Sequence, residues 1–263
     1  ADRRVADRRS DLEKAKSQLN AARELRAAEI RSTADIKPST RDDFSSPNPD
    51  LWESGEGTWS YADGKLKQTR DGDTWSTLRL KSRPPADFHA RLKFTITGGK
   101  TWKSVGMTFD DVDANQCVVY VSACANGAKA QVAYRNGELV YPETAIKTLP
   151  IALNTPYDLV VRAKGTLVNV LVNGEVFVAY RLPIARREGS LRIVTYDGTA
   201  EFQSFELGEL PAEIPLVEPG ATTTPNEKPY TVEQAELAMA VAEKSLAWAE
   251  LQPNLVLVRA AAD

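Results

Sequence analysis

The sequence predicts a mainly β protein, a two-sheet antiparallel β-sandwich inserted between two helices that pair with each other. Three observations predict it. Between Trp52 and Leu210 apolar and polar residues alternate with a period of two, which is typical of half-buried antiparallel strands. About a dozen such runs follow one another with no helix between them, as in a sandwich. At both ends of the chain the apolar residues instead recur every seven positions, the heptad pattern of a coiled coil.

The first element, residues 1–32, is predicted to be an N-terminal coiled-coil helix. Its seam residues are Val5, Leu12 and Leu19 in one position and Ala15 and Ala22 in the other. Residues 33–51 follow as a linker. The basic residues of this region are expected to form the solvated face of the helix, the alternative being a basic arm.

The last element, residues 231–263, is predicted to be the C-terminal coiled-coil helix. Its seam residues are Val232, Met239 and Leu246, alternating with Ala235, Ala242 and Ala249. Thr231 and Gln234 fit a capping box at its start, and Pro253 is expected to kink or stop it. Because alanine lets two helix backbones approach closely, we expect the terminal helices to pair antiparallel as a stalk. Residues 211–230 precede this helix as a linker whose five prolines should make it extended and stiff.

Residues 52–210 form the predicted sandwich. In "FHARLKFTIT", Phe88 and every second residue after it face the core, while His89 and its alternates face away. Four pairs of residues are hairpin signals. They are Asp63-Gly64, Asn136-Gly137, Asn173-Gly174 and Asp197-Gly198.

Five stretches of this region resemble the concanavalin A-like lectin/glucanase superfamily, which implies a jelly-roll sandwich. They are "GTWSYADGKLKQ", "DFHARLKFTI", "SVGMTFDD", "YDLVVRAKGTLVNVLVNGE" and "GSLRIVTYDGTAEFQSFEL". Within the superfamily they most resemble laminin-G-like and 3-keto-disaccharide-hydrolase-type domains of exported bacterial proteins. The insertion between alanine-rich helices also resembles a segment of large planctomycete cytochrome c-type surface proteins. The haem attachment motif Cys-x-x-Cys-His is absent from this chain.

Composition limits the partners of the protein. A net charge of −3 and a pI near 5.5 give no case for nucleic-acid binding, and no run approaches the roughly 20 apolar residues of a membrane span. The chain opens with Ala1 and without a signal peptide, so we expect a mature form or an excised fragment. Cys117 and Cys124 are expected to be free thiols, which favours a reducing compartment. The family resemblance instead implies export to the periplasm or cell surface, and we adopt it.

The sequence lacks the residue patterns that indicate a hydrolase. His89 is the only histidine and no Gly-x-Ser-x-Gly elbow accompanies it, so a Ser-His-Asp triad is not expected. The Glu-x-Asp-x-x-Glu triplet of many glucanases of the superfamily is also missing. The remaining carboxylates are scattered, whereas glycoside hydrolysis needs a pair across a cleft. They are Asp110, Glu138, Glu143 and Glu201.

The loop "DDVDANQ" gathers Asp110, Asp111, Asp113 and Asn115. Their hard oxygen atoms suit calcium, and the family resemblance implies that such domains often carry calcium at a loop edge. An ordinary acidic turn is the alternative.

Sugar binding needs aromatic faces for stacking and polar side chains for the hydroxyl groups. Strand parity places one set of such residues on a polar sheet face, with Trp102 expected above it in a loop after Gly98-Gly99. The predicted ligand-binding residues are Trp102, Thr108, Asp110, Tyr120, Gln131 and Arg135. A simple solvated sheet face is the alternative. Trp59 and Trp75 are expected in the core or at a sheet edge.

The sequence therefore predicts a non-catalytic carbohydrate-binding-like or adhesion module of a larger exported bacterial protein. It is expected to bind a glycan and to contact other domains of the parent protein through the helical stalk. No cofactor is expected apart from the calcium considered above. The alternatives are a structural spacer without a small ligand and a glycoside hydrolase acting on a di- or polysaccharide.

Overall fold

The computed structural model describes residues 2–34, 36–113, 115–220 and 232–260, apart from the side chains at 2, 24–34, 233–234 and 252–260. The chain divides into two compact units. One comprises Asp35–Ala221, and the other combines Ala1–Ala34 with Thr222–Asp263.

The described part of the first unit contains fourteen antiparallel strands. They are β1 (Thr40–Asp42), β2 (Trp52–Ser54), β3 (Trp59–Ala62), β4 (Lys65–Gln68), β5 (Trp75–Leu80), β6 (Phe88–Val112), β7 (Asn115–Ser122), β8 (Lys129–Asn136), β9 (Glu138–Val140), β10 (Ile146–Thr148), β11 (Pro156–Lys164), β12 (Leu167–Val172), β13 (Glu175–Arg181) and β14 (Ser190–Glu209).

The two longest strands, β6 and β14, pair with each other along most of their length and bend together. Gly98 and Gly99 of β6 lie opposite Thr199 and Gly198 of β14. A side chain is excluded at Gly99, since a Cβ there would lie 2.3 Å from the carbonyl oxygen of Asp197. The prediction of a loop after Gly98-Gly99 was therefore wrong, because the chain bends here without leaving the sheet.

The bend divides β6 and β14 into two halves each, and the halves on its two sides belong to different layers. In the first layer the strand order is β2-β5-β14-β6-β7-β8, with β9 and β10 also paired to β8. In the second layer it is β3-β4-β14-β6-β11-β12-β13, with β1 also paired to β14. The sheet thus folds over itself into the predicted β-sandwich.

The core lies between the two layers. The alternation predicted for "FHARLKFTIT" is confirmed, because the side chains from Phe88 to Ile96 at every second position are fully buried. Val105, Met107 and Phe109 face them from the other half of β6. Burying each large apolar side chain contributes about 1.5–3 kcal/mol, so this alternation is the main stabilising feature of the unit.

Two of the hairpin signals form tight two-residue turns. Asp63 and Gly64 join β3 to β4 with φ of 57° and 70°, and Asn173 and Gly174 join β12 to β13 with φ of 52° and 84°. These left-handed conformations are those of type I′ turns. Asp197-Gly198 does not form a hairpin turn, because it lies inside β14. The pairing of β14 with β6 shifts register at this point, and the two strands bend here.

The segments predicted as linkers contribute to the sandwich. Strand β1 and the fully buried Phe44 lie within residues 33–51. Ile36 and Ile214 are buried together with Leu210, and the Val217 backbone exchanges two hydrogen bonds with the amide of Asn169. Residues on both sides of the predicted boundaries therefore pack on the second layer, because their isoleucines and phenylalanine can be buried there.

The described part of the second unit consists of two helices, α1 (Asp2–Ala34) and α2 (Val232–Ala260). Leu19, Ala22 and Ala235 are buried in one cluster. Two ion pairs join the helices, Arg9 with Glu250 at 3.2 Å and Arg23 with Glu236 at 3.0 Å. Since a later residue of α1 pairs with an earlier residue of α2, the helices run in opposite directions.

Pro253 lies inside α2, so the expectation that it would stop the helix was wrong; a proline removes one backbone hydrogen bond, and the helix continues beyond it. Thr231 of the predicted capping box lies outside the described residues. Neither described helix has the length and apolar character needed to cross a membrane.

Candidate functional site

A polar groove lies on the outer face of the first layer, the face opposite the core. Its cavity volume is about 300 Å³, within the range of small-ligand sites. It is lined by Trp75, Thr77, Thr108, Asp111, Asn115, Gln116, Arg135, Arg192 and Val194.

Strand alternation places these side chains together. In β14, Leu191 and Ile193 point into the core, so Arg192 and Val194 point outward. Arg192 lies directly opposite Thr108 of β6. In the neighbouring strand pair, Gln116 of β7 lies opposite Arg135 of β8. Five neighbouring strands, β5, β14, β6, β7 and β8, therefore contribute to the groove.

Two aromatic rings meet at one side of the groove. Trp75 lies opposite Tyr196 in the register of β5 and β14, and their ring centroids are 5.2 Å apart with an interplanar angle of 47°. Trp75 is half-buried, so it leaves part of an aromatic surface next to the polar groove. The expectation of a core or edge position holds for Trp59, which packs against Phe202, but Trp75 lies on the groove face.

Tyr141 lies near the same face. Its side chain is 51 % exposed. Burial of its hydroxyl raises its pKa, Tyr196 also raises it, and the charge of Arg135 lowers it. The hydroxyl is therefore within electrostatic range of both residues, which adds a further aromatic side chain beside the groove.

Thr108 has an unusual position in the groove. Its side chain is only 3 % exposed, yet its Oγ1 has no hydrogen-bond partner within the part of the chain that the structure describes. Leaving a buried polar atom unsatisfied costs about 1–3 kcal/mol. A hydroxyl in this position is available to a molecule that enters the groove.

The charged groups of the groove do not balance. Arg192 Nη1 lies 2.6 Å from Asp111 Oδ2, so these two charges compensate each other. Arg135 forms no ion pair with any of the described residues. The groove therefore carries one uncompensated positive charge.

Asp110, a predicted ligand-binding residue, lies elsewhere because the alternation of β6 is interrupted. It adopts a left-handed conformation with φ of 55°, and the register with β7 shifts at this point. Asp111 takes the place on the groove face that parity assigned to Asp110. Asp110 instead accepts two hydrogen bonds from Arg186, including one of 3.0 Å from Nη2 to Oδ1.

The Arg186 guanidinium is held against the core by aromatic rings. Its Cζ lies 5.0 Å from the ring centroid of Phe109 and 5.5 Å from that of Phe88. The pair of Asp110 and Arg186 borders a second cavity of about 330 Å³, lined by residues 83–86 and 186–189. Buried pairs of this kind hold a chain segment in place.

Tyr120 and Gln131, also predicted to bind ligand, lie opposite each other on β7 and β8. Both are nearly buried, and the Tyr120 hydroxyl donates a 2.6 Å hydrogen bond to Gln131 Oε1. Burial raises the pKa of Tyr120. The Tyr120 hydroxyl and Gln131 Oε1 are thus already engaged with each other.

Trp102 lies in β6, not in the predicted loop, and its side chain is 43 % exposed. Its backbone N–H and that of Thr101 donate to Asp197 Oδ2 at 2.9 Å and 2.6 Å. Lys129 Nζ lies 5.8 Å from its ring centroid. Because Lys129 and Arg135 are at opposite ends of β8, about 20 Å apart at 3.3 Å per residue, the structure does not bring Trp102 next to Thr108 and Arg135.

The predicted calcium ligands are also separated. Asp110 pairs with Arg186, Asp111 pairs with Arg192, and Asp113 is exposed. Among the described residues, no group of three or more His, Cys, Asp or Glu side chains is arranged to hold a metal ion. The residues of this loop therefore do not fit a calcium site.

The remaining candidate carboxylates lie outside the groove lining. Glu201 pairs with Lys65 at 2.7 Å in the second layer, and Glu138 and Glu143 are exposed. Cys117 and Cys124 are unpaired, and burial raises the pKa of Cys117 to about 12.

His89 lies on the outer face of the second layer, but it is buried. Arg162 Nε donates a 3.3 Å hydrogen bond to His89 Nδ1. Burial, assisted by the charge of Arg162, lowers the pKa of His89 to about 4. The histidine is therefore neutral at pH 7 and remote from the groove.

No protein-family model and no curated protein sequence matches the chain. Solved structures do match. The carbohydrate-binding module CBM66 from Bacillus subtilis is 20% identical with a TM-score of 0.53, the match covering 60% of this chain and 95% of that one. A Bacillus licheniformis β-glucanase is 12% identical with a TM-score of 0.54, covering 66% and 99%. A Bacillus subtilis protein of unknown function with a galectin-like fold is 13% identical with a TM-score of 0.53, covering 66% and 98%. These similarities establish a jelly-roll fold.

Proposed function

We propose that the sandwich is a non-catalytic carbohydrate-binding module whose ligand lies in the polar groove. One observation carries the proposal: the buried hydroxyl of Thr108, which has no partner among the described residues, lies in a cavity that also exposes the ring of Trp75 and the guanidinium of Arg135, which forms no ion pair with those residues. Aromatic rings stack on the apolar faces of sugar rings, and polar side chains bind the hydroxyl groups. If this sheet face only contacted solvent, a buried hydroxyl without a partner would cost stability and serve no function.

The predicted ligand contacts divide by position. Thr108 and Arg135 line the groove. Tyr120 and Gln131 would support the sheet face from beneath, since both are nearly buried and bonded to each other. Trp102 would meet only a longer oligosaccharide that extends along the sheet. Asp110 would act indirectly by holding the bulge that presents Asp111.

The groove supports binding better than hydrolysis. Glycosidases require two carboxyl groups about 5–10 Å apart across the sugar site. Asp111 is the one carboxylate among the described lining residues, and it is paired with Arg192. This arrangement favours a module that binds sugar over a glycoside hydrolase.

We further propose that α1 and α2 form an antiparallel coiled-coil stalk of a larger exported bacterial protein. The buried alanines at the helix contact support the pairing. A second apolar face of α2, formed by Leu237, Val241, Trp248 and Leu251, is more than half exposed. A helix that is apolar on two faces is usually buried on both, so this face supports contact with a further helix of the parent protein.

The binding proposal is tested by titrating the full chain with a panel of oligosaccharides and measuring the affinity by calorimetry. Trp75→Ala and Thr108→Val should weaken binding about tenfold or more, whereas Trp248→Ala, a change of the same size on α2, should leave it unchanged. Thermal melting verifies that each variant is folded. Absence of binding to every sugar would favour the structural spacer, and release of reducing sugar would favour the hydrolase.

A further inference from the structure

We propose that the polar groove selects acidic carbohydrates, with the guanidinium of Arg135 pairing with the carboxylate of a uronic acid. This inference rests on the proposed carbohydrate-binding function and names the class of its ligand. It concerns the charge of the sugar and not the identity of its ring.

The lining of the groove carries a net positive charge. The positive charge of Arg192 is compensated by Asp111 at 2.6 Å. Arg135 has no such partner in the described parts of the chain. A protein with net charge −3 thus presents a local positive charge in a cavity. A neutral sugar gains little from this charge, whereas a carboxylate gains a charge-assisted hydrogen bond.

The shape of the Arg135 guanidinium also suits a carboxylate. The guanidinium group is planar and offers two parallel N–H donors, which match the two oxygen atoms of a carboxylate. Arg135 lies opposite Gln116 across the β7–β8 pair, and both side chains line the groove. The side chain of Arg135 is half-buried, so a carboxylate bound there is partly shielded from water and salt.

The same sheet face carries a second cation, Lys129. Lys129 lies on β8, the strand of Arg135, with its Nζ over the ring of Trp102. Within the described residues Lys129 also forms no ion pair. The two cations lie about 20 Å apart along β8, so a linear polymer that carries a carboxylate on each sugar unit would meet a positive charge at both ends of this face.

The decisive experiment compares sugars that differ only in charge. The full chain is titrated by calorimetry with oligogalacturonides and with the same oligosaccharides after methyl esterification, and with glucuronic-acid and glucose oligosaccharides as a second pair. In at least one pair the acid should bind about tenfold more tightly than its neutral counterpart, and the difference should shrink as salt is added.

Arg135→Gln should weaken binding of the acidic sugar about tenfold more than binding of its neutral counterpart, because glutamine still hydrogen-bonds hydroxyl groups but carries no charge to pair with a carboxylate. Arg41→Gln removes the same charge from β1 in the other layer and should leave the preference intact. Equal binding of acidic and neutral sugars, or a preference that survives Arg135→Gln in a folded protein, would overturn this inference alone. No binding of any sugar would overturn the proposed function with it.

Discussion

The hydroxyl of Tyr120 donates a 2.6 Å hydrogen bond to Oε1 of Gln131, its cross-strand neighbour on the outer face of the first layer. Both side chains are at least nine-tenths buried. This pair joins β7 to β8 beneath the face that carries the polar groove. The Tyr120–Gln131 pair therefore has a structural role, which is to hold these two strands together.

The Tyr120–Gln131 hydrogen bond should be measurable in stability. Tyr120→Phe keeps the ring and leaves Gln131 Oε1 buried without a donor, so the free energy of unfolding should fall by about 1–3 kcal/mol. Urea unfolding measures the change. Tyr134→Phe serves as the control, since its hydroxyl has no hydrogen bond to the described residues. Equal effects of the two substitutions would show that the bond contributes nothing specific.

The pair of Asp110 and Arg186 should be among the most sensitive contacts of the sandwich. Asp110→Asn removes the negative charge and leaves the Arg186 guanidinium buried against Phe88 and Phe109. Breaking a buried ion pair in this way costs about 3–5 kcal/mol. Thermal or urea unfolding should show this loss, whereas Asp113→Asn, at an exposed site of the same loop, should change stability by less than about 0.5 kcal/mol. A loss no larger than that of the control would contradict the assignment.

His89 should make the stability of the sandwich depend on pH. Its pKa falls from an ordinary 6.5 to about 4 in the folded state, so between these values only the unfolded chain takes up the proton. Stability from this group is therefore complete above pH 6.5 and is lost as the pH falls toward 4, a loss on the order of 3 kcal/mol.

The measurement compares the unfolding free energies of wild type and His89→Gln at several pH values, because the carboxylates titrate in both proteins. The nearby charged groups are Arg162, Arg91 and Asp158, and they are unchanged in the variant. The difference between the two proteins should shrink from pH 7 to pH 4. A difference that stays constant over this range would contradict the prediction.

The proposed coiled-coil pairing predicts an asymmetric response to larger side chains. Ala235 is fully buried at the contact of α2 with α1, so Ala235→Leu should force the backbones apart and cost about 1–3 kcal/mol. Ala247 is exposed on the same helix, and Ala247→Leu should be neutral. Circular dichroism at 222 nm during thermal melting reports the helices. Identical melting of both variants would argue against the pairing.

Much of the fold follows from the sequence, because alternation and heptads are local patterns that burial enforces. Phe88 to Ile96 bury every second residue as the period of two predicts, and the Asp63-Gly64 turn forms because both residues accept positive φ. At Asp197-Gly198 the hairpin prediction was wrong. There the composition of a hairpin turn is used for a bend, which only the pairing of β14 with β6 determines.

The candidate site was harder to predict because parity is lost at bulges. Alternation along β6 correctly placed Thr108 on the outer face, but the left-handed conformation of Asp110 exchanged its position with that of Asp111. Trp75, Tyr196 and Arg192 were missed. Extending the parity argument to β5 and β14 identifies their face, yet the pairing of those strands with each other and with β6 is a long-range contact without a local signal.

The central claim is that sugar binds in the polar groove, and NMR titration of the full chain tests it most directly. The oligosaccharide is expected to bind with a Kd on the order of 0.1–1 mM, which is a binding free energy of about 4–5.5 kcal/mol. The NMR signals of the Trp75 indole N–H and of the backbone amides in the groove should then shift together and saturate. These amides are those of Thr108, Gln116, Arg135 and Arg192. Trp248 on α2 should not shift. Binding in the groove is contradicted if no sugar perturbs these signals at millimolar concentration, or if the shifts cluster away from the groove.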